Sequence, residues 1–360
     1  MIFSQVLVKW YAANKRILPW RETGNPYYIW VSEVILQQTR VAQGIDYYIR
    51  FINTFPTVYD LAHADIDRVL KVWQGLGYYT RARNMHATAK EIVDNHKGAF
   101  PRTYQELIKL KGIGDYTASA IAAFAFGEAV AAVDGNVYRI FARLFGIDTP
   151  IDTQKGKLEL KVIANSMLDR ENPGVYNQAI MDFGGTVCTP KRPNCFSCPV
   201  MEICSAFRNR KVDQYPVKSK TIKKTERYLT YIIPQKGSQT YIAKRVNDDI
   251  WKSLYEFPLI ETDRQMEVDE IVETDNWAKL FEGKAVDVLY FSSPKKYLLS
   301  HQRIFARFVV VRMDEESQLL KEKFSAINLS EIHNYSTSRL IEGFLAAEPV
   351  EKYFKKSTKD

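Results

Sequence analysis

Long apolar runs are missing from this 360-residue sequence. None approaches the roughly 18 residues that a membrane span requires, so no membrane is expected as a partner. An export signal is missing as well: the opening MIFSQVLVKWYAANKR has no basic region ahead of its apolar stretch and no small-residue cleavage site. A cytoplasmic protein without signal or transit peptide is the expectation. Cysteine is scarce, at four residues. Without export, a disulfide framework is a poor account of them, and metal or redox use a better one. Disorder is excluded by composition, with 46% hydrophobic and 26% charged residues. The length exceeds the usual single-domain size, so two domains are expected.

Charge of one sign dominates only locally. The net charge is +8, but residues 1–227 hold 31 basic and 21 acidic residues, a surplus of ten, whereas residues 228–360 hold 19 and 21, a deficit of two. The surplus points to a polyanionic partner for the first part of the chain. Many basic proteins never meet nucleic acid, so charge alone carries little weight.

Residues 1–207 read as helical. Segments 4–14, 28–43, 45–54, 65–73, 82–95 and 103–109 show apolar residues at three- and four-residue spacing between short Gly, Pro or Asn turns. Residues 208–227 follow, with eight basic and two acidic residues, Pro216 and no periodic apolar face, and read as a basic linker able to lie on a polyanion. The period then changes. Segments 227–233, 239–244, 285–291 and 304–312 alternate or run β-branched and aromatic, which predicts strands, and helices are expected at 275–281 and 338–347. The expected architecture is a mainly α domain, 1–207, followed by a smaller α+β domain, 228–360.

All four cysteines, Cys188, Cys195, Cys198 and Cys204, fall within 17 residues, spaced C-x6-C-x2-C-x5-C. Such closeness favours one centre over scattered disulfides. A tetrahedral zinc and a 4Fe–4S cluster both accept four thiolates, and the spacing does not choose between them. The loop between the first two ligands holds Lys191 and Arg192, so a metal here fixes a basic loop in space.

Two further features carry chemistry. Residues 107–118, LIKLKGIGDYTA, read as a helix, a Gly112-Ile113-Gly114 hairpin and a second helix opening at Thr117. The glycines permit a tight turn that leaves backbone amides facing outward at a helix start, where they hold a phosphate without a side chain. Gly-x-Gly alone also fits an ordinary helical hairpin; the basic domain and thiolate cluster favour DNA backbone. Asp134 immediately precedes an apolar-periodic helix at 137–145, where an Asp ordinarily serves as N-cap. The helix end also favours its ionised form. Glu33 lies in the apolar run Ile29-Trp30-Val31-Ser32-Glu33-Val34-Ile35-Leu36. Facing solvent it is unremarkable; buried, it holds a proton near neutral pH. One protonated and one ionised carboxyl is the pairing that breaks glycosidic bonds through an oxocarbenium-like transition state.

Taken together, the chain resembles the helix–hairpin–helix DNA glycosylases that carry an iron–sulfur cluster, and within them the MutY-type adenine DNA glycosylases. The resemblance rests on Leu18-Pro19-Trp20-Arg21, on Ser32-Glu33-Val34-Ile35-Leu36-Gln37-Gln38-Thr39, on Gly75-Leu76-Gly77-Tyr78-Tyr79, on Gly112-Ile113-Gly114-Asp115-Tyr116-Thr117-Ala118, on Val133-Asp134-Gly135-Asn136-Val137 and on the cysteines, in the family's order. It implies a 4Fe–4S cluster at the cysteines. It also implies a monomer acting on double-stranded DNA that holds an adenine:8-oxoguanine or adenine:guanine mispair.

Carried over residue by residue, Glu33 resembles the acid that protonates adenine at N7, and Asp134 the carboxylate that stabilises the sugar cation. Tyr116 and Asn136 match positions that support this intermediate. Gln38 and Tyr78 match residues that enter the base stack, and Gln178 one that reads the extruded adenine. Arg16, Leu18, Trp20, Arg21, Gly112 and Gly114 fall in the substrate- and DNA-binding motifs. Extrusion is required because the target bond is out of reach inside a duplex. Endonuclease III-type relatives have a strand-nicking lysine where this chain has Tyr116; Lys111 lies on the other side of the hairpin, so base removal without efficient strand cleavage is implied.

The second domain resembles the Nudix-like recognition domain of this family, chiefly through Trp251-Lys252-Ser253-Leu254-Tyr255-Glu256-Phe257-Pro258. No acidic Nudix box follows Pro258, so pyrophosphate hydrolysis is not expected. Ser300 and His301 match the loop that meets 8-oxoguanine, with Leu299 where many members have an aromatic residue. Two other readings compete: a thymine mismatch glycosylase of the same fold, and a non-catalytic iron–sulfur DNA-binding protein. Glu33 and Asp134 argue against the second, since carboxylates near phosphate are electrostatically unfavourable unless used.

Overall fold

The computed structural model describes residues 3–219, 224–348 and 350–354. It folds as two compact units: Met1–Ala64 with Arg83–Thr221, and Asp65–Ala82 with Ile222–Asp360. The expected boundary at residue 207 is therefore corrected twice. Residues 65–82 belong with the second unit, and the first continues past 207. Much of the expected linker is anchored: Val212 and Tyr215 carbonyls accept from Arg143 Nε at 3.1 and 3.2 Å, Val217 O accepts from Ile151 N at 3.0 Å, and the Tyr215 hydroxyl donates to Asp148 at 2.9 Å. Residues 220–223 of that segment lie outside the described residues.

The first unit is helical. Helices Phe3–Asn14, Gly135–Phe145, Gln154–Ser166 and Pro173–Thr186 enclose a core that includes Leu7, Tyr11, Ile140, Phe141, Leu160, Ile180 and Phe183. Helix Pro26–Leu36 starts cleanly, with Pro26 in its first turn and Asn25 accepting from Tyr27 N. It is buried along Ile29–Ile35 on every side, as a helix apolar all round must be. The expected helix 28–43 is interrupted: helix Pro26–Leu36 ends, Gln38 takes a left-handed φ of 58°, and Val41–Thr54 begins anew. The small residues Ala118, Ala120, Ala122 and Ala123 of helix Asp115–Phe126 let its neighbours approach closely. No helix among the described residues is long and apolar enough to cross a membrane.

The second unit is α+β. Its strands are β1 (Thr225–Gln235), β2 (Gln239–Lys244), β3 (Tyr255–Glu256), β4 (Leu259–Thr262), β5 (Val286–Phe291), β6 (Lys295–Leu298), β7 (Gln302–Met313) and β8 (Ser325–Asn328). The larger sheet runs β4-β1-β7-β5, with β6 also on β7; β1 and β7 are parallel and the other pairs antiparallel. A smaller sheet runs β3-β2-β8. Along β7, Ile304, Ala306, Phe308 and Val310 meet helix Arg339–Ala347 through Leu340, Ile341 and Phe344, while Val309, Val311 and Met313 face Trp277, Leu280 and Leu320. Alternation thus sends side chains into two cores, which is why β1 and β7 read as near-continuous apolar runs. The β6–β7 connection is tight, with Leu299 N donating to Gln302 O at 2.9 Å, so Ser300 and His301 form its exposed tip.

Candidate active site

Within the first unit, an open cleft of about 1370 Å³ is lined by Arg16, Leu18, Trp20, Arg21, Glu33, Gln38, Gly112, Gly114, Tyr116, Asp134, Asn136 and Gln178. It exceeds the roughly 300–1,000 Å³ of ordinary small-ligand pockets. Of the expected site residues outside the cysteine cluster, Tyr78, Ser300 and His301 do not line it; they belong to the second unit.

Glu33 is 7% exposed, on the inner side of its helix. Burial pushes its carboxyl up to about 7; the Tyr116 hydrogen bond and Arg21 pull the other way, and the charge of Asp134 adds to the rise. The Tyr116 hydroxyl donates to Glu33 Oε2 at 2.5 Å. Burial, and then the charge of Glu33, holds that phenol well above its ordinary range, so it remains a donor.

Asp134 caps helix Gly135–Phe145. Its Oδ1 accepts from the backbone of Asn136 and Val137 at 2.8 and 2.9 Å, and its Oδ2 from Asn136 Nδ2 at 2.7 Å. The helix end alone implies an easily ionised carboxyl. Burial works against it and raises Asp134 above its ordinary value, opposed by those three N–H donors and the charge of Arg139. Both carboxyls therefore resist ionisation, but Asp134 is far better supplied with donors.

Arg139 extends the support outward. It donates to Asn136 Oδ1 at 2.7 Å, to Gly184 O at 2.7 Å and to Cys188 O at 2.8 Å, which joins the capping carboxylate to the cysteine loop. Gly184 is required there: a Cβ would lie 2.5 Å from that of Asn136. One turn on, Arg143 donates to Thr189 O at 2.7 Å, Pro190 O at 3.0 Å and Cys188 Sγ at 3.4 Å. Sequence reading missed both arginines, although their spacing of four on an apolar helix was the available signal.

Asp182 was missed as well. It is fully buried and accepts from the backbone N of Arg16 at 3.1 Å, from Arg16 Nε and Nη2 at 2.7 and 2.5 Å, and from Arg21 Nη1 and Nη2 at 2.6 and 2.7 Å. Burial favours its neutral form, but the hydrogen bonds from Arg21 and Arg16 outweigh this and hold its carboxyl below the ordinary value. Two guanidiniums are thereby fixed at the cleft wall, where removing Asp182 would leave buried charge unpaired. An aspartate inside the apolar stretch Ala179-Ile180-Met181-Asp182-Phe183 was its visible trace.

Gln38 and the hairpin complete the wall. The left-handed turn at Gln38 puts it on the cleft, and Gln37 Nε2 donates to Thr117 Oγ1 at 3.2 Å. Gly112 has φ of 77°, and a Cβ there would come 2.6 Å from that of Asn84. Gly114 is the N-cap of helix Asp115–Phe126, whose first-turn amides have no intrahelical acceptor. Gln178 accepts a 2.8 Å hydrogen bond from the Tyr11 hydroxyl, leaving its amide donors directed elsewhere.

The four cysteines are unpaired and line one small cavity with Arg143, Val187, Pro193, Asn194, Met201, Phe207 and Val212. Among the described residues no three His, Cys, Asp or Glu side chains stand close enough to hold a single metal ion. The four thiols share this cavity beside the buried guanidinium of Arg143, a donor set suited to a thiolate-held metal centre.

A family model described as "HhH-GPD superfamily base excision DNA repair protein" matches residues 31–165, which include Glu33, the hairpin and Asp134. The chain is 36% identical over 262 residues to an adenine DNA glycosylase of Buchnera aphidicola subsp. Schizaphis graminum, covering 72% of this chain and 76% of that protein. It is 42% identical over 221 residues to a human adenine DNA glycosylase, covering 59% of this chain and 40% of that one. Among solved structures, a thermostable thymine-DNA glycosylase matches with a TM-score of 0.54 and 25% identity, covering 57% of this chain and 95% of that one.

The elevated Glu33 carboxyl has a stability signature. Its folded value, about 7, lies above the ordinary 4.5, so the native state keeps the proton longer than the unfolded chain. The stabilisation is present below pH 4.5 and lost as pH rises towards 7, on the order of 3 kcal/mol in all. Glu33→Gln removes that slope. Thermal unfolding of both proteins from pH 5 to 8 is expected to show the variant gaining on wild type with rising pH; parallel curves would contradict a buried neutral carboxyl.

Proposed function

The chain belongs to the adenine DNA glycosylases of the helix–hairpin–helix base excision repair superfamily, and from that premise we propose that it removes adenine mispaired with 8-oxoguanine or guanine through the carboxyl pair Glu33 and Asp134. The observation that carries this reading is the shared cleft: a buried, proton-holding Glu33 bonded to Tyr116, and an Asp134 supplied with three N–H donors.

The extruded adenosine enters between these groups. Glu33 gives its proton to adenine N7, which turns the base into a neutral leaving group, and Tyr116 supports the carboxylate left behind. As the glycosidic bond stretches, positive charge develops on the sugar, and Asp134 opposes it as an anion; water then adds to the sugar carbon and its proton returns to the Glu33 carboxylate. Before the reaction burial of Asp134 is opposed by its three N–H donors and by Arg139 but keeps it above its ordinary value; a cationic sugar in the same cleft adds the charge partner that favours the anion. Asn136 holds Asp134 in place through a side-chain hydrogen bond, and Arg139 holds Asn136. Gln178, anchored by Tyr11, directs its amide to the base. Arg16 and Arg21, locked by Asp182, present fixed positive charge along with Leu18 and Trp20 at the cleft wall. Outward amides after Gly112 and Gly114 take a backbone phosphate. Tyr116 cannot form a Schiff base, which supports base removal without strand cleavage.

Cys188, Cys195, Cys198 and Cys204 are proposed to hold a 4Fe–4S cluster, since they surround one shared cavity in a chain of this family. Bound there, the cluster would fix the loop of Lys191 and Arg192 against DNA and, through Cys188 O and Arg139, the network behind Asp134. In the second unit, taken as a Nudix-like recognition domain, Ser300 and His301 at the exposed β6–β7 tip are proposed to meet 8-oxoguanine, and Tyr78 to enter the stack with Gln38. The thymine reading has less support, because the likeness to a thymine-DNA glycosylase is 25% identical over 57% of the chain.

Single-turnover release of adenine from duplexes with adenine opposite 8-oxoguanine tests the acid assignment. Glu33→Gln accepts the Tyr116 hydrogen bond but has no proton to give, and a loss on the order of 10²–10⁴-fold is expected; retained activity would overturn it. His301→Ala is expected to lose more activity opposite 8-oxoguanine than opposite guanine, and equal losses would reject its recognition role.

A further inference from the structure

Residues 65–82 are the part of the early chain that folds with the second unit, and they end in the turn that carries Tyr78. Helix Ile66–Trp73 opens on the N-cap Asp65, with Asp67 in its first turn. Both Asp67 carboxylate oxygens are engaged: Oδ1 pairs with Lys244 Nζ, and Oδ2 accepts from the Tyr255 hydroxyl at 3.0 Å. Its carbonyl accepts from Ser336 Oγ at 3.3 Å. One turn on, Lys71 Nζ donates to Tyr335 O at 3.2 Å, and just past the helix Gln74 Nε2 reaches Glu342 Oε1. Positions 67, 71 and 74 form one helical face, and residues from β2, β3 and 335–342 grip it along its length. Tyr255 is itself fixed, with its ring edge-on to Tyr335 at 4.9 Å and its N donating to Ser336 O at 2.8 Å.

The far end of that helix sets the turn. Trp73 Nε1 and Arg81 Nη2 both donate to Gly77 O, at 3.1 and 3.2 Å, and Gly75 N donates to the Tyr79 hydroxyl at 3.2 Å. Tyr78 follows with φ of 49°, a conformation a tyrosine holds only when its surroundings impose it. Its hydroxyl is hydrogen-bonded to Ser300 Oγ at the β6–β7 tip. The chain of contacts from Asp67 thus ends where the turn and the hairpin meet.

We propose that Asp67 is a positioning residue for recognition of the partner base: through Lys244 and Tyr255 it sets the register of helix Ile66–Trp73, and thereby the placement of Tyr78 against the Ser300 hairpin. This rests on the reading that Ser300 and His301 meet the partner base. Asp67 does not line the catalytic cleft, so its effect falls on partner preference rather than on bond cleavage itself.

The test uses the full-length protein and compares single-turnover adenine release opposite 8-oxoguanine and opposite guanine. Asp67→Ala is expected to reduce the ratio of the two rates about tenfold, roughly the effect of 1.4 kcal/mol. Asp67→Asn should lie between it and wild type. The charge exchange Asp67→Lys with Lys244→Asp is expected to recover much of the ratio that Lys244→Asp alone removes. An unchanged ratio, equal losses on both substrates, or an exchange no better than the single variants overturns the proposal. If Asp67→Ala does not fold, Asp67→Asn and the exchange decide it. His301→Ala serves as reference. Wild-type preference that His301→Ala erodes and Asp67→Ala leaves intact sinks this inference alone; a wild type without preference sinks the recognition reading along with it.

Discussion

Water is kept from one carboxyl group, and the site depends on that exclusion. Helix Pro26–Leu36 is buried on all sides, so Glu33 has no route to solvent except through the cleft. Desolvation then outweighs a short hydrogen bond from Tyr116 and the nearby charge of Arg21. Had the balance gone the other way, Glu33 would be one more carboxylate facing Asp134, and a polyanion would find two repelling charges. The arginines alter this balance less than their number suggests, because Asp182 spends their hydrogen-bonding capacity within the wall.

Layers of support stand behind Asp134. The helix start supplies backbone donors, Asn136 adds a side-chain donor, Arg139 holds Asn136, and the cysteine loop holds Arg139 through Cys188 O. The cysteine loop is in this way mechanically connected to the capping carboxylate.

Much of this was legible in the chain, and the failures have physical causes. Glu33 was visible because a charged residue stands out in an apolar helix, and Asp134 because a cap before a periodic segment is a local signal. Helices with one clear apolar stripe, such as Val41–Thr54, announce themselves. The break at 37–40 did not, since Gln38 carries no glycine-like mark for its left-handed φ. Short strands β3, β4, β6 and β8 were missed because few residues cannot establish alternation. Residues 65–73 read correctly as a helix but, with the turn that follows, were put in the wrong unit: what binds them are groups at 244, 255 and 335–342, and no periodicity reports a contact so remote in sequence. Asp182, Arg139 and Arg143 were overlooked for the same reason, as buried charges are explained by partners that only folding brings near.

The most direct measurement follows the Glu33 carboxyl itself. Isotope-edited infrared titration of the full-length protein, with Glu33→Gln to assign the band, should show a protonated C=O stretch that persists at pH 6 and falls to half its intensity near pH 7. A group already ionised at pH 5 would contradict the account at its root.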